Sequence, residues 1–322
     1  MARNEKTQTT AVMIGVHVLD TLVRPVSGIP EGQGGALVEQ IAISAAGTAG
    51  GSALVMSKLG ARVQSCGVVG SDTIGDLLKS LLRNGGVDVT HLHTVQEVQT
   101  SASVLPIRAD GSRPALHVVG ANQFLAQHIP WDVLDKADIV HLGGPEFYGG
   151  ELAAEMLSRA RQKGAITSAD SLAPGTPDAL SYFQDALPHI DYFLPNDEQV
   201  LGWTGARTLA EGCERLVQLG AGCVVATAGA EPTVISAARG TSTVPAFAVD
   251  VLDTSGCGDA FSAGFMRGIS LAMDPIDAAR LGNGTAAQVA QGLGSAFGEY
   301  DLQSVLRFIT EDQNSTSARA ES

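Results

Sequence analysis

Positive charge is in short supply: 20 Lys and Arg face 34 Asp and Glu across 322 residues, a formal net charge of −14. Nucleic acid and anionic membrane both require a basic face, so neither is expected as a partner. Cysteine is scarcer still. The four thiols, Cys66, Cys213, Cys223 and Cys257, form no C-x-x-C pair and are too few to staple so long a chain, which implies free thiols in a reducing, cytoplasmic compartment. Long apolar runs are missing: none reaches the roughly 18 residues of a membrane span, and the opening MARNEKTQTT lacks the apolar centre of a signal peptide. The seven histidines show no H-x-x-x-H spacing, which excludes that zinc arrangement. No G-x-x-x-x-G-K-[ST] occurs, so a Walker-type phosphate loop is excluded too.

Apolar residues and glycine are what the chain has in plenty. Apolar residues make up 44%, enough for a large core. The 38 glycines, about 12% of the chain against an average near 7%, fit many tight strand-to-helix turns better than a helical bundle. Buried strands are expected at 11–19, 63–69, 138–142, 165–169, 192–194 and 223–227, with helices over 72–83, 151–163 and 208–219 stopped by Gly85, Gly164 and Gly220. This alternation implies βαβ units and a mainly parallel sheet covered on both faces. Ligands on such sheets bind beyond the carboxyl ends of the strands, where Asp20, Gly143, Asp170, Asn196 and Asp253 fall. Two pieces stand outside the pattern, an exposed strand at 37–43 and a hairpin over 101–119 turned by Asp110-Gly111, and together they read as a small separate sheet. Residues 1–10 and 311–322 are polar and expected to fray, leaving 11–310 as the ordered domain.

Near the C-terminal end, Asp253-Thr254-Ser255-Gly256-Cys257-Gly258-Asp259-Ala260-Phe261 reads as a glycine turn between a strand over 244–251 and a helix starting at Cys257 or Gly258. The first amides of a helix have no intrahelical partner and lie at the positive end of its dipole, so an anion fits there. Gly256 and Gly258 remove the Cβ atoms that would hold a ligand off. Asp253 and Asp259 flank the turn. Their carboxylates would repel a phosphate unless one takes a proton from an attacking nucleophile or helps hold a neutralising cation. The turn also half-matches the dinucleotide fingerprint G-x-G-x-x-G, but Phe261 occupies the third small position and the turn comes late in the chain.

The nonapeptide resembles the C-terminal signature DTTGAGDAF of the ribokinase-like sugar kinases, the phosphofructokinase B family. That resemblance implies an α/β fold, a three-layer sandwich with a mainly parallel central sheet and a small β lid formed by about 20–44 and 98–120. It also implies ATP-dependent transfer of a phosphoryl group to a hydroxyl of a small sugar or sugar acid. Asp259 then stands as general base, and the amides of Gly256, Cys257 and Gly258 as the anion hole. Asp20, five residues after Gly15, is the implied ligand of substrate hydroxyls.

The small-residue run at 45–53 is similar to the family's G-G-x-x-x-N-x-A. Counting back from Leu59-Gly60 places Ala46-Gly47 at the glycine pair and Gly51 where an Asn contacts the sugar, so one hydrogen bond to substrate is lost. Tight helix packing is the other account of this run. Asn196-Asp197-Glu198-Gln199 resembles the N-x-x-E element that positions Mg²⁺ and phosphates, with Gln199 in place of Glu and Glu198 about 100° away on a helix. Thr227-Ala228-Gly229 resembles the T-x-G that lies against the nucleotide. Asn283, in a helix over 277–291 interrupted by Gly282-Asn283-Gly284, falls in the implied adenine pocket, and Gly294 and Ser295 in a loop that takes a monovalent cation such as K⁺. Asp253 is the implied metal-side carboxylate. Family lids commonly pair, which implies a homodimer; Arg108 and Arg113 on the hairpin either reach an anionic substrate or, as is usual for exposed arginines on a hairpin, are simply solvated. Two other readings stay open: a nucleoside or vitamin-precursor kinase on the same fold, and a non-catalytic sugar-binding regulator, motivated by Gly51 and Gln199. Cys257 either fills the family's Ala position or, at a helix N-terminus, is a thiol of lowered pKa open to oxidation or alkylation.

Overall fold

β1 (Thr10–Gly15) runs through the middle of the molecule and feeds two cores, because successive side chains of a strand point to opposite faces: Val12 and Ile14 join one core, Ala11 and Met13 the other. The computed structural model describes residues 9–109 and 111–320, the side chains of 313–320 excepted. Residues 1–8 of the expected N-terminal tail, Asp110 of the Asp-Gly turn and residues 321–322 lie outside the described residues. In chain order the further elements are β2 (Val18–Arg24), β3 (Gln40–Ala46), α1 (Gly50–Lys58), β4 (Arg62–Gly70), α2 (Thr73–Asn84), β5 (Asp88–Val95), β6 (Ala102–Pro106), β7 (Leu116–Val118), α3 (Trp131–Leu134), β8 (Ile139–Gly143), α4 (Gly150–Gln162), β9 (Ile166–Asp170), β10 (Tyr192–Phe193), α5 (Asp197–Thr204), α6 (Leu209–Gln218), β11 (Cys223–Ala228), β12 (Glu231–Ala237), β13 (Gly240–Val244), α7 (Cys257–Ser270), α8 (Pro275–Val289) and α9 (Leu302–Ala320).

One sheet carries the order β13-β12-β11-β10-β9-β8-β1-β4-β5. Its neighbours are parallel from β5 to β11, and the hairpin strands β12 and β13 close one edge antiparallel. On one face pack α4 through Met156 and Leu157, α5 through Val200 and Trp203, and α6 through Cys213 and Leu216. The other face takes α1, α2, α7 and α8 through Val55, Leu78, Phe265 and Leu281. The result is a three-layer α/β/α sandwich. Local sequence explains the helices: Asp72 caps α2 by accepting from Gly75 N at 2.8 Å, and Leu78 and Leu82, one turn apart, bury its inner stripe.

A second sheet, ordered β3-β2-β6-β7, stands off the first. β2 pairs antiparallel with β3 and parallel with β6, and β7 closes on β6 antiparallel. One row across it reads Ser44, Asp20, Ser103, His117, and the adjacent row on the opposite face reads Ile43, Thr21, Val104, Leu116.

Five expectations need correction. The apolar run at 11–19 is two strands: β1 pairs in the central sheet as far as Gly15, and from Val18 the chain pairs with β3 and β6 instead, so Asp20 lies within a strand of the lid. Hydrophobicity alone is blind to a change of sheet. The exposed strand near 37–43 begins later, at Gln40. Residues 245–251 form no strand; the β-branched run that resembles one ends at Val244 and continues as an irregular wall. α8 is unbroken at Gly282 and Gly284, since a Cβ at either would come within 3.0 Å of Phe261 or Ile309, so these glycines serve close packing. Finally, α9 continues beyond Glu311 to Ala320, anchored at its start by buried Val305 and Ile309.

Candidate active site

The carboxyl ends of the parallel strands, the start of α7 and the polar face of the lid enclose one cavity of about 1190 Å³. Asp20, Thr48 and His117 line it on one side, Asn196, Thr227 and Asn283 on another, and Gly256, Gly258 and Asp259 lie among its lining residues. The sequence placed these residues up to about 260 positions apart; the sheet's common polarity brings their strand ends together.

Gly256 caps α7 in the left-handed conformation, φ +75°, and a Cβ there would lie 2.3 Å from the Ser295 backbone. No other residue fits. That turn leaves the amides of Gly258 and Asp259 at the helix start without an intrahelical acceptor, while Cys257 N donates to Thr254 O at 3.2 Å. A Cβ on Gly258 would meet nothing within 4 Å, so an anion has room to approach. Asp253 is 1% exposed and accepts from Ser255 N at 3.0 Å, Ser255 Oγ at 2.8 Å and Gly294 N at 3.5 Å. Its carboxylate therefore pins the turn to the 291–300 loop and leaves little of itself to a metal.

Asp259, in the first turn of α7, sits on the cavity floor where solvent still reaches it. Burial, then Asp170 and Asp20, push its carboxyl well above the usual range, with the Arg113 guanidinium opposing them. Asp170, at the end of β9, is pushed up to about 7 by burial, with Glu146 adding to it. Glu146 is itself raised by burial; it accepts from Leu172 N at 2.8 Å and Ser171 Oγ at 2.9 Å. Asp20 is raised as well, first by burial. Four carboxyl groups thus line the same cavity, with Ser103, His117 and Arg113 opposing the rise at Asp20. Arg113 Nε donates to Thr254 Oγ1 at 3.0 Å, which ties the lid hairpin to the glycine turn.

Gly51 faces this cluster. A Cβ there would lie 2.3 Å from Asp259 Oδ2, and Ser52 Oγ donates to Asp259 O at 3.2 Å, so α1 abuts the carboxylate directly. The Asn of the sugar-kinase signature has no space beside Asp259 as it stands. Gly47 lines the cavity next to Thr48, a buried hydroxyl without a partner among the described residues. Gln199 is wholly engaged: Nε2 donates to Ser171 O at 2.7 Å and Ala173 O at 3.1 Å, while Oε1 accepts from Asn196 N at 3.1 Å. Asn196 returns the bond, Oδ1 accepting from Gln199 N at 2.9 Å, in a capping box that starts α5. Glu198 is exposed. Thr227 bridges to Asn196, Gly229 follows β11 at the cavity wall, and Asn283 accepts from Thr233 Oγ1 at 2.9 Å and donates to Pro245 O at 2.9 Å.

Of the two readings of Cys257, the one in which it fills the family's Ala position is favoured. Burial, then the Asp253 charge, push its thiol up to about 12, the opposite direction to the lowering expected of a reactive thiol at a helix N-terminus. Sequence reasoning placed Asp170 at the ligand-binding ends of the strands without a specific role, and singled out none of Thr48, Ser103, His117 and Glu146. Asp170 and Glu146 carried a usable signal, since both lie at or just past strand ends; Ser103 and His117 required the lid register.

A family model for pfkB family carbohydrate kinases matches residues 9–301. The chain is 30% identical over 251 residues to an uncharacterised sugar kinase of Archaeoglobus fulgidus, covering 76% of this chain and 97% of that protein. The ribokinase of Arabidopsis thaliana, solved with ribose and ATP, superposes with a TM-score of 0.79 at 21% identity over 94% of this chain and 98% of that one. A protein of Escherichia coli assigned as a ribokinase II, solved with ATP and Mg²⁺, gives 0.81 at 19% identity, over 94% and 99%. With its glycine turn, lid and central sheet matched along nearly their whole length, this chain belongs to the pfkB family of carbohydrate kinases.

Proposed function

We propose that this kinase transfers the γ-phosphoryl group of ATP to a hydroxyl of a small sugar or sugar acid, with Asp259 as the general base. One observation carries the reading: Asp259 is a solvent-reachable carboxylate of raised proton affinity, one turn from a left-handed glycine whose following amides open on the same cavity. High proton affinity suits a group that must take a proton from an alcohol. The amides of Gly256, Cys257 and Gly258 stabilise charge on the transferring group. Asp20, backed by Ser103 and His117, and the Gly47–Thr48 corner hold substrate hydroxyls. Asn196, Thr227, Gly229 and Asn283 shape the nucleotide end, Asn283 by fixing the 244–245 wall. The Arg113 charge offsets the acidic wall and favours an acceptor bearing an anionic group.

Mg²⁺ takes hard oxygen ligands and keeps much of its water, so it commonly enters with phosphates. Among the described residues no three Asp, Glu, His or Cys side chains form a ready cage, yet oxygen donors line the cavity, which fits an ion carried by ATP. Asp170 and Glu146, more than the buried Asp253, are the carboxylates that would help hold it. When bound it neutralises phosphate charge. The free state of all four thiols supports a cytoplasmic setting. The exposed lid face supports a homodimer: Ile41, Ile43, Val104, Leu116 and Val118 share it, and Ile41 and Leu116 are 63% and 62% exposed. A nucleoside acceptor is the second reading, favoured by Phe147, Leu172 and Tyr182 on the cavity wall, which offer stacking and apolar surface to a base.

ADP release measured across pentoses, hexoses, sugar acids, sugar phosphates and nucleosides tests the choice. Asp259→Asn lowers kcat by about 10² to 10⁴-fold and leaves ATP binding intact. Near-normal turnover by that variant would remove Asp259 from its role.

A further inference from the structure

Residues 291–300 form neither helix nor strand, so their backbone carbonyls depend on partners from elsewhere. Lys58, the last residue of α1, supplies them. Its Nζ donates to Ala296 O and to Gly298 O, both at 2.6 Å, and lies 4.8 Å from the centre of the Tyr300 ring. Backbone carbonyls and an aromatic face also attract small monovalent cations. The ammonium is half-buried, with Glu299 as its nearby opposite charge.

What this loop touches gives the clamp its consequence. Ser295 packs on Gly256 at the start of α7, Gly294 N donates to Asp253, and Ser295 N donates to Ser44 Oγ of the lid at 3.2 Å. α1 itself abuts Asp259 at its other end, through Gly51 and Ser52. Lys58 thus closes a ring of contacts from α1 through the loop to the glycine turn and back through α7 to α1.

We propose that Lys58 is a built-in cation that fastens the 291–300 loop against the anion-binding turn, so that this chain orders the turn without an added monovalent cation. The kinetic part rests on the phosphoryl-transfer reading; the structural part does not. Lys58 is a positioning residue and touches no reacting atom.

The test compares wild type and Lys58→Met in potassium chloride, methylammonium chloride and tetramethylammonium chloride at equal ionic strength. Amide hydrogen exchange of the 291–300 peptide is read first. Wild type keeps the same protection in all three salts. Lys58→Met loses it in tetramethylammonium, which is too large for the cage, and regains it with potassium or methylammonium. Where an acceptor gives turnover, kcat of Lys58→Met follows the same pattern, falling about 10²-fold without a small cation, while its KM for ATP changes little. Loss of wild-type protection in tetramethylammonium would overturn the proposal, and that arm needs no variant to fold. Equal protection of Lys58→Met and wild type would overturn it too. If no acceptor yields ADP, the kinase reading fails while the exchange data still decide the clamp.

Discussion

At the residue scale the site is governed by the burial of carboxyl groups set around one cavity. Asp259, Asp170, Asp20 and Glu146 all have raised proton affinity, with burial the first cause in each. A base works only when ionised, so kcat/KM falls as pH drops through its raised pKa, and the acidic limb of the profile lies above the ordinary carboxylate value of about 4. Asp170→Asn removes the largest like charge acting on Asp259 and moves that limb to lower pH; a pH–rate profile that stays put would show that Asp170 has no hold on it. Gly51 is the other decisive position. A Cβ there lies 2.3 Å from Asp259 Oδ2, so Gly51→Ala, and equally Gly51→Asn, displaces the carboxylate. Both are expected to lower kcat by about 10²-fold with modest change in melting temperature, and steady-state kinetics alongside thermal melts checks this.

At the scale of elements, substitutions that look like losses of chemistry are gains of structure. Gln199 uses its whole amide to start α5 and to satisfy two carbonyls of the 171–173 segment. Gln199→Glu removes both donors and sets a further carboxylate beside Glu146 and Asp170. Each orphaned buried carbonyl costs about 1–3 kcal/mol, so the variant melts earlier and gains no activity; a stable, faster Gln199→Glu enzyme would contradict this. The sequence made the Glu-to-Gln departure visible. Only the fold around residues 171–173 shows why Gln is held there.

For the whole molecule, the proposed pairing rests on the lid. Its inner row is polar and faces the cavity, while the outer face exposes aliphatic side chains on three of its four strands. Such a patch on a sheet is costly to leave in water. Ile43→Lys with Leu116→Lys is expected to convert a dimer to a monomer by sedimentation and to weaken acceptor affinity more than ATP affinity; a wild-type chain that sediments as a monomer would dispose of the pairing.

The sequence by itself determined the alternation of strands and helices, the glycine turn before α7 and the acid that follows it, because periodicity, caps and left-handed glycines act over a few residues. It determined, too, that Gly51 and Gln199 depart from the family signatures. Tertiary structure alone decided that the run at 11–19 divides between two sheets, that 245–251 is a wall and no strand, that burial raises the Cys257 thiol, and that Glu146 lines the same cavity as Asp20, Asp170 and Asp259. These depend on desolvation and on contacts between residues far apart in the chain, which no local pattern records.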